Sequence, residues 1–300
     1  MSPTNRYVPH VAADELLGLY WTTSGPAEPH YGREWSLFDF EDRCSQAARV
    51  GFSGIGLWHA DLEHILETRT LDELAQLLDE HGLRYLELEF LPNWFLEPAD
   101  ERRQASDRLR TRLWEAAAAL PTHHVKVGNI PGVPCDLDTL VERFAELCAD
   151  AAEHHDARIV YEFMPPDVNV HDLDTALALV ERANAPNGSL AIDTWHMAKL
   201  GITPDALRAT PARHLGWVEL SDGQWADMDD PVDETINHRE LPGEGEFPIR
   251  EYVAAVRDAG YPGPWGVEVL SEKLRALPIE EIFDRAYATS TAQLTGGGTG

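Results

Sequence analysis

Short apolar runs alternate with longer amphipathic stretches along nearly the whole chain. The apolar runs at 16–22, 53–58, 83–91, 123–127, 158–163, 190–193, 215–220 and 266–270 predict strands. Helical periodicity fills the intervals at 40–50, 71–81, 100–119, 137–155, 173–183 and 249–259, and 280–294 reads as a closing helix. Eight strands alternating with helices imply parallel βαβ units, and a closed (β/α)8 TIM barrel is the architecture they fit. An open doubly wound sheet competes, but no G-x-G-x-x-G follows the first strand, where a dinucleotide fold needs it. Residues 1–294 are expected to form one barrel domain, with 295–300 a flexible Gly-rich tail.

The two-residue period of a strand sorts side chains into inward and outward sets. Tyr161 and Phe163 share one face, leaving Glu162 on the other; Leu190 and Ile192 pack outward, leaving Asp193 inside. Val218 and Leu220 turn Glu219 inward, and Trp265, Val267 and Val269 do the same for Glu268. Strands five to eight therefore each end in an inward acid. Any one of them alone is more often a salt-bridge partner than a functional group. Four meeting over one barrel mouth repel, by about 4 kcal/mol per pair ~4 Å apart at an effective dielectric near 20. Protonation, basic neighbours or a bound cation must relieve that repulsion. Because barrel active sites lie at this end of the strands, a divalent ion is the favoured reading. Hard oxygen donors suit Mn²⁺ or Mg²⁺, with Co²⁺ or Zn²⁺ as alternatives.

Charge narrows the partners. Asp and Glu total 52 against 24 Lys and Arg, a formal net charge of −28. Such a surface repels phosphate backbones and anionic lipid, so neither nucleic acid nor membrane is an expected partner. Much of the acidity also serves solubility. The three cysteines, Cys44, Cys135 and Cys148, fit no paired spacing and point to a reducing cytoplasm. Met1 to Ala13 lacks the apolar core of a secretion signal, and no run approaches the ~20 apolar residues of a membrane span.

Several segments together resemble the sugar phosphate isomerase/epimerase group, the xylose isomerase-like TIM barrels. They are Tyr161-Glu162-Phe163-Met164-Pro165, Ile192-Asp193-Thr194-Trp195-His196 and Leu241-Pro242-Gly243-Glu244-Gly245-Glu246-Phe247-Pro248. Gly263-Pro264-Trp265-Gly266-Val267-Glu268-Val269, the glycine-rich run 51–57 and Val125-Lys126-Val127-Gly128 extend the likeness from about residue 14 to 290. The resemblance implies a metal held by Glu162, Asp193, the residue at the position of Glu219, and Glu268. Epimerases of the group usually have His at the third of these positions. Members resembling 3-dehydroshikimate dehydratase have Gln, to which Glu219 is closer in shape; Glu219 either ligates or supports the site.

His196, in the D-x-x-H pattern, either binds substrate and relays a proton or holds Asp193 in place. Lys126 points inward, either to polarise a substrate oxygen or to neutralise the acids. Arg239 resembles the substrate-gripping arginine of the group, with an ion pair as its alternative role. Glu87 and Glu89 face inward on the third strand, Glu89 nearer the catalytic end. His59, Trp195, Trp58, Trp94 and Trp225 are candidate pocket walls. His123-His124 and His154-His155 read as solvated element ends.

A metal flanked by two glutamates suits proton abstraction next to a carbonyl through a metal-stabilised enediolate, with Glu162 and Glu268 as acid and base and His196 as relay. Returning the proton isomerises or epimerises a keto-sugar or cyclitol-like carbohydrate; losing a β-hydroxyl makes the enzyme a dehydratase of the inosose or 3-dehydroshikimate type. Apurinic endonucleases share the superfamily, but they need several zinc ions, more histidines and a basic footprint. A non-catalytic carbohydrate-binding barrel is the remaining alternative. Homo-oligomer formation leaves no legible mark.

Overall fold

The computed structural model describes residues 14–30, 32–130 and 132–296. The readings of Met1–Ala13 and of the tail beyond Gly296 lie outside the described residues. Eight parallel strands close into a barrel in chain order. They are β1 (Leu16–Gly18), β2 (Gly54–Trp58), β3 (Tyr85–Leu91), β4 (Thr122–Gly128), β5 (Arg158–Glu162), β6 (Gly188–Asp193), β7 (Leu215–Leu220) and β8 (Trp265–Val267). The seam is sealed by β1 against β8, with Leu16 opposite Trp265 and Gly18 opposite Val267.

Among the described residues, seven long helices cover the outside: Phe40–Val50, Leu71–Glu80, Glu101–Ala119, Leu137–His154, Leu173–Ala183, Ile249–Asp258 and Ile279–Thr295. Several begin on acidic caps that accept backbone N–H groups, namely Asp39, Asp100, Asp136 and Asp172. Part of the large negative charge is thus structural.

Two short strands depart from the sequence reading. β1 stops at Gly18, and Tyr20–Thr23 turns into a helix. The Thr22 hydroxyl explains the break. It donates to the Val267 carbonyl at 2.6 Å and accepts from the Val269 N–H at 2.7 Å, so a side chain replaces strand pairing beyond β8. Glu268 therefore stands just past its strand, held by its own N–H on the Leu220 carbonyl at 3.2 Å.

Outward residues such as Leu190, Ile192, Val218 and Trp265 join the large core between barrel and helices. Inside the barrel, Leu17, Leu19, Tyr85, Val160, Ala191 and Trp217 form a separate plug below the mouth. Gly266 makes room for it, because a Cβ there would lie 2.7 Å from both Leu19 Cδ1 and Trp217 Cζ2. No described helix is long and apolar enough to cross a membrane.

Gly266→Ala is expected to overpack this plug and lower stability by about 1–3 kcal/mol in urea unfolding; an unchanged midpoint would show that the interior has slack.

Candidate metal and catalytic centre

Strand alternation delivers the inward set to one place. Glu87 and Glu89 come from β3, Lys126 from β4, Glu162 from β5, Asp193 from β6 and Glu219 from β7; Glu268 follows β8. All are buried. Lys126 sits among them, its Nζ 2.8 Å from Glu219 Oε1, 2.9 Å from Glu268 Oε1 and 3.0 Å from Glu89 Oε2. Glu87 Oε1 and Glu162 Oε2 lie farther out, at 3.4 and 3.7 Å. These contacts are those of the neutralising role foreseen for it.

Asp193 serves two partners at once. Its Oδ1 accepts the Trp195 N–H at 2.7 Å, capping the helix Thr194–Lys199, and its Oδ2 accepts from Arg239 Nη1 at 2.7 Å. His196 Nε2 lies 3.3 Å from Glu162 Oε1 and 3.5 Å from Asp193 Oδ2. Arg239 is positioned by its surroundings: Thr235 accepts from Nε through its carbonyl and from Nη2 through its hydroxyl, and the Trp195 ring lies 4.7 Å beneath the guanidinium.

The Pro-Gly-Glu-Gly segment beyond Arg239 is scaffolding rather than chemistry. Asp222, just past β7, accepts the N–H groups of Gly223, Gly243 and Phe247. A Cβ on Gly245 would stand 2.4 Å from Asp222 Oδ1, so the loop closes only with glycine there.

Six carboxyl groups here share two cations, and the electrostatics show the imbalance. Burial, then Glu268, holds Glu219 well above the usual carboxylate range despite Lys126. Glu89 is raised in the same way, by burial first and Glu87 and Glu268 after it. Burial pushes Glu268 upward too, but Lys126 and Arg239 outweigh it and bring its pKa to about 2. Burial opposes the Lys126 charge, yet Glu162, Glu219 and Glu268 lift its pKa well above normal.

Glu162, Asp193, Glu219 and Glu268 each offer an oxygen within 4.8 Å of the others. Glu219 Oε2 and Glu89 Oε1 are buried without a hydrogen-bond partner, an expensive state for a carboxylate. An all-oxygen donor set with excess negative charge and orphaned oxygens fits a hard divalent cation.

Above the acids opens a cavity of about 210 Å³ lined by Glu89, Glu162, His196, Arg239 and Glu268, with Trp21, Trp58 and Phe90 along one wall. Lys126, Asp193 and Glu219 lie behind this lining. His59 packs beside Trp58 with ring centroids 4.6 Å apart and accepts from the Phe90 N–H at 3.4 Å, so it supports the wall. Trp195 faces a neighbouring cleft instead.

Trp94 is core, packed against Phe95, Phe144 and Tyr161, and Trp225 is exposed on Phe247. The reading of His123-His124 as solvated is corrected. His124 is fully buried inside the barrel, its Nε2 3.1 Å from Glu87 Oε1, and burial pushes its pKa down. Its place was legible, since it shares strand parity with Lys126. His155 is likewise buried, edge-on to Trp114 at 4.8 Å, while His154 stays exposed.

The family model described as "Xylose isomerase-like TIM barrel" matches residues 44–290. The chain is 27% identical over 240 residues to a 3-dehydroshikimate dehydratase of Pseudomonas aeruginosa, covering 79% of this chain and only 37% of that protein. It is 21% identical over 245 residues to an inosose isomerase of Bacillus velezensis, covering 76% of this chain and 86% of that one. The solved IolI protein with a bound zinc atom superposes with a TM-score of 0.81 at 19% identity, over 94% of this chain and 98% of that one.

Lys126→Met is expected to cost about 3–5 kcal/mol in metal-free protein, because it leaves buried carboxylates unpaired. Mn²⁺ should then raise the melting temperature more in the variant than in wild type; equal shifts would separate the lysine from the cation site. Burial and Glu268 raise the proton affinity of Glu219, so Mn²⁺ ligation there should displace protons, read by calorimetry across buffers. Glu219→Gln should cut that release by about one proton. An unchanged release would remove Glu219 from the ligand set.

Proposed function

Because the chain belongs to the xylose isomerase-like TIM barrel family, we propose that it is a metal-dependent isomerase or epimerase of a keto-sugar or cyclitol-like carbohydrate. The observation that carries this reading is that Glu162 and Glu268 belong to the four-acid set and also line the cavity. Glu162, Asp193, Glu219 and Glu268 would hold the ion, Mn²⁺ or Mg²⁺ by the hardness of the donors. Bound there, it would supply a Lewis acid that polarises a ketone oxygen and acidifies the neighbouring C–H.

The residues divide the remaining work. Glu268, at about 2, stays ionised and is a poor proton acceptor. Glu162, which lines the cavity, is the assigned base, and His196, 3.3 Å from it, can take the proton onward or return it. Arg239 keeps two N–H groups beyond those bound to Asp193 and Thr235, enough to orient a hydroxyl or carbonyl oxygen. Glu89 lines the cavity, and burial raises its proton affinity, which suits it to proton donation.

That raised proton affinity also favours a second reading. A dehydratase needs an acid to assist departure of a β-hydroxyl, and Glu89 lines the cavity. Glu219, where epimerases of the group have histidine, and the similarity to 3-dehydroshikimate dehydratase favour the same chemistry.

Mn²⁺-loaded enzyme in D₂O should incorporate deuterium next to the carbonyl of a ketose or cyclitol ketone. Glu162→Gln should lower that rate by about 10²–10⁴, and chelation should abolish it. Exchange undiminished by either change would contradict the assignment. Loss of water with a rising enone absorbance would select the dehydratase.

A further inference from the structure

The opposite end of the barrel holds a second cavity, of about 620 Å³, that the chemistry above does not use. It lies among the first residues of the strands: Thr122 and His123 of β4, Arg158 of β5, and Leu215 and Gly216 of β7. Two bulges shape it. The β3–β4 ladder pairs Leu86 with Thr122 and Glu87 with His124, passing over His123. The β6–β7 ladder pairs Leu190 with Leu215 and Ala191 with Trp217, passing over Gly216. Both skipped residues line the cavity. A bulge re-aims the side chain it carries, and the His123 ring accordingly lies 5.3 Å from that of Trp217, inside the barrel.

The polar groups around this cavity lack partners. His155 is 8% exposed, and neither of its ring nitrogens finds a hydrogen-bond partner among the described residues. The Thr122 hydroxyl is buried in the same condition. Orphaned polar groups of this kind are rare without a bound species to satisfy them.

Charge identifies the species. In a chain with 52 acidic against 24 basic residues, Asp156 is the one carboxylate among the described lining residues, beside Arg84 and Arg158. Arg84 is already taken up by Glu15. Arg158 makes neither a hydrogen bond nor an ion pair among the described residues. Its planar fork of N–H donors matches two oxygens of a carboxylate or phosphate at once. Burial takes the His155 pKa down to about 4, so at neutral pH its ring adds an N–H donor without repelling the guanidinium.

We propose that this cavity is a second ligand site, taking a small molecule through a carboxylate or phosphate group gripped by Arg158, with His155 and Thr122 as further donors. It is independent of the metal centre, from which the interior plug divides it.

Calorimetry of the full-length protein with inorganic phosphate and with succinate, at constant ionic strength and in chelator, reads this site without a catalytic ion to compete for the anion. One saturable site with a Kd of about 1 mM or tighter is expected for at least one probe. The tighter probe distinguishes a phosphorylated from a carboxylic ligand. Arg158→Gln should weaken binding about tenfold. His155→Phe, which keeps a ring against Trp114, should weaken it about threefold. Arg112→Gln, which removes an exposed ion pair with Glu115, should leave it unchanged. Because Arg158 is exposed and unpaired, its replacement should not move the melting temperature of the free protein. Saturation by neither probe, binding undiminished by Arg158→Gln, or an equal loss in Arg112→Gln would overturn the inference.

Discussion

Repulsion among buried carboxylates is the constraint around which the barrel mouth is organised. Glu87, Glu162, Glu219 and Glu268 are inward because their chain neighbours on both sides are apolar and belong to the outer core, so they cannot turn away without exposing that core. The fold thus concentrates charge that water cannot screen. Lys126 at the centre and Arg239 at the edge answer part of it, through contacts of 2.7–3.0 Å to Asp193, Glu89, Glu219 and Glu268. What they leave over is the basis of cation affinity. A site already satisfied by its own lysines and arginines would have no reason to take up an ion.

The same arrangement separates two kinds of acid. Glu268 is held ionised by Lys126 and Arg239 against its burial; burial, with Glu268 and Glu87 among the repelling neighbours, raises the proton affinity of Glu219 and Glu89. Neighbouring carboxyl groups with divergent proton affinity are what proton-transfer chemistry requires. The scaffold contributes by fixing positions: Trp217 donates to Glu219 at 2.8 Å, Asp193 doubles as a helix cap, and Asp222 clamps the loop that follows Arg239.

Much of this was legible from parity and periodicity. The inward placement of Glu87, Glu89, Lys126, Glu162, Asp193, Glu219 and Glu268 follows from a two-residue period and needs no tertiary information. Applied to His124, the same parity would have put it in the barrel; its place beside a second histidine concealed it. What sequence could not supply was the destination of aromatic side chains. Trp58, Trp94 and Trp195 look alike in composition, yet one walls the cavity, one is core and one supports Arg239. That depends on how loops cross the mouth. The shortness of β1 and β8 was equally hidden, because a Thr22 hydroxyl stands in for backbone pairing.

The account rests on a single cation gathered by oxygen atoms. Electron paramagnetic resonance of the protein titrated with Mn²⁺ tests it most directly. One tightly bound ion per chain is expected, with no hyperfine coupling to nitrogen and with binding lost on Asp193→Asn. Absence of a tight site, or strong nitrogen coupling that places His196 on the metal, would contradict it.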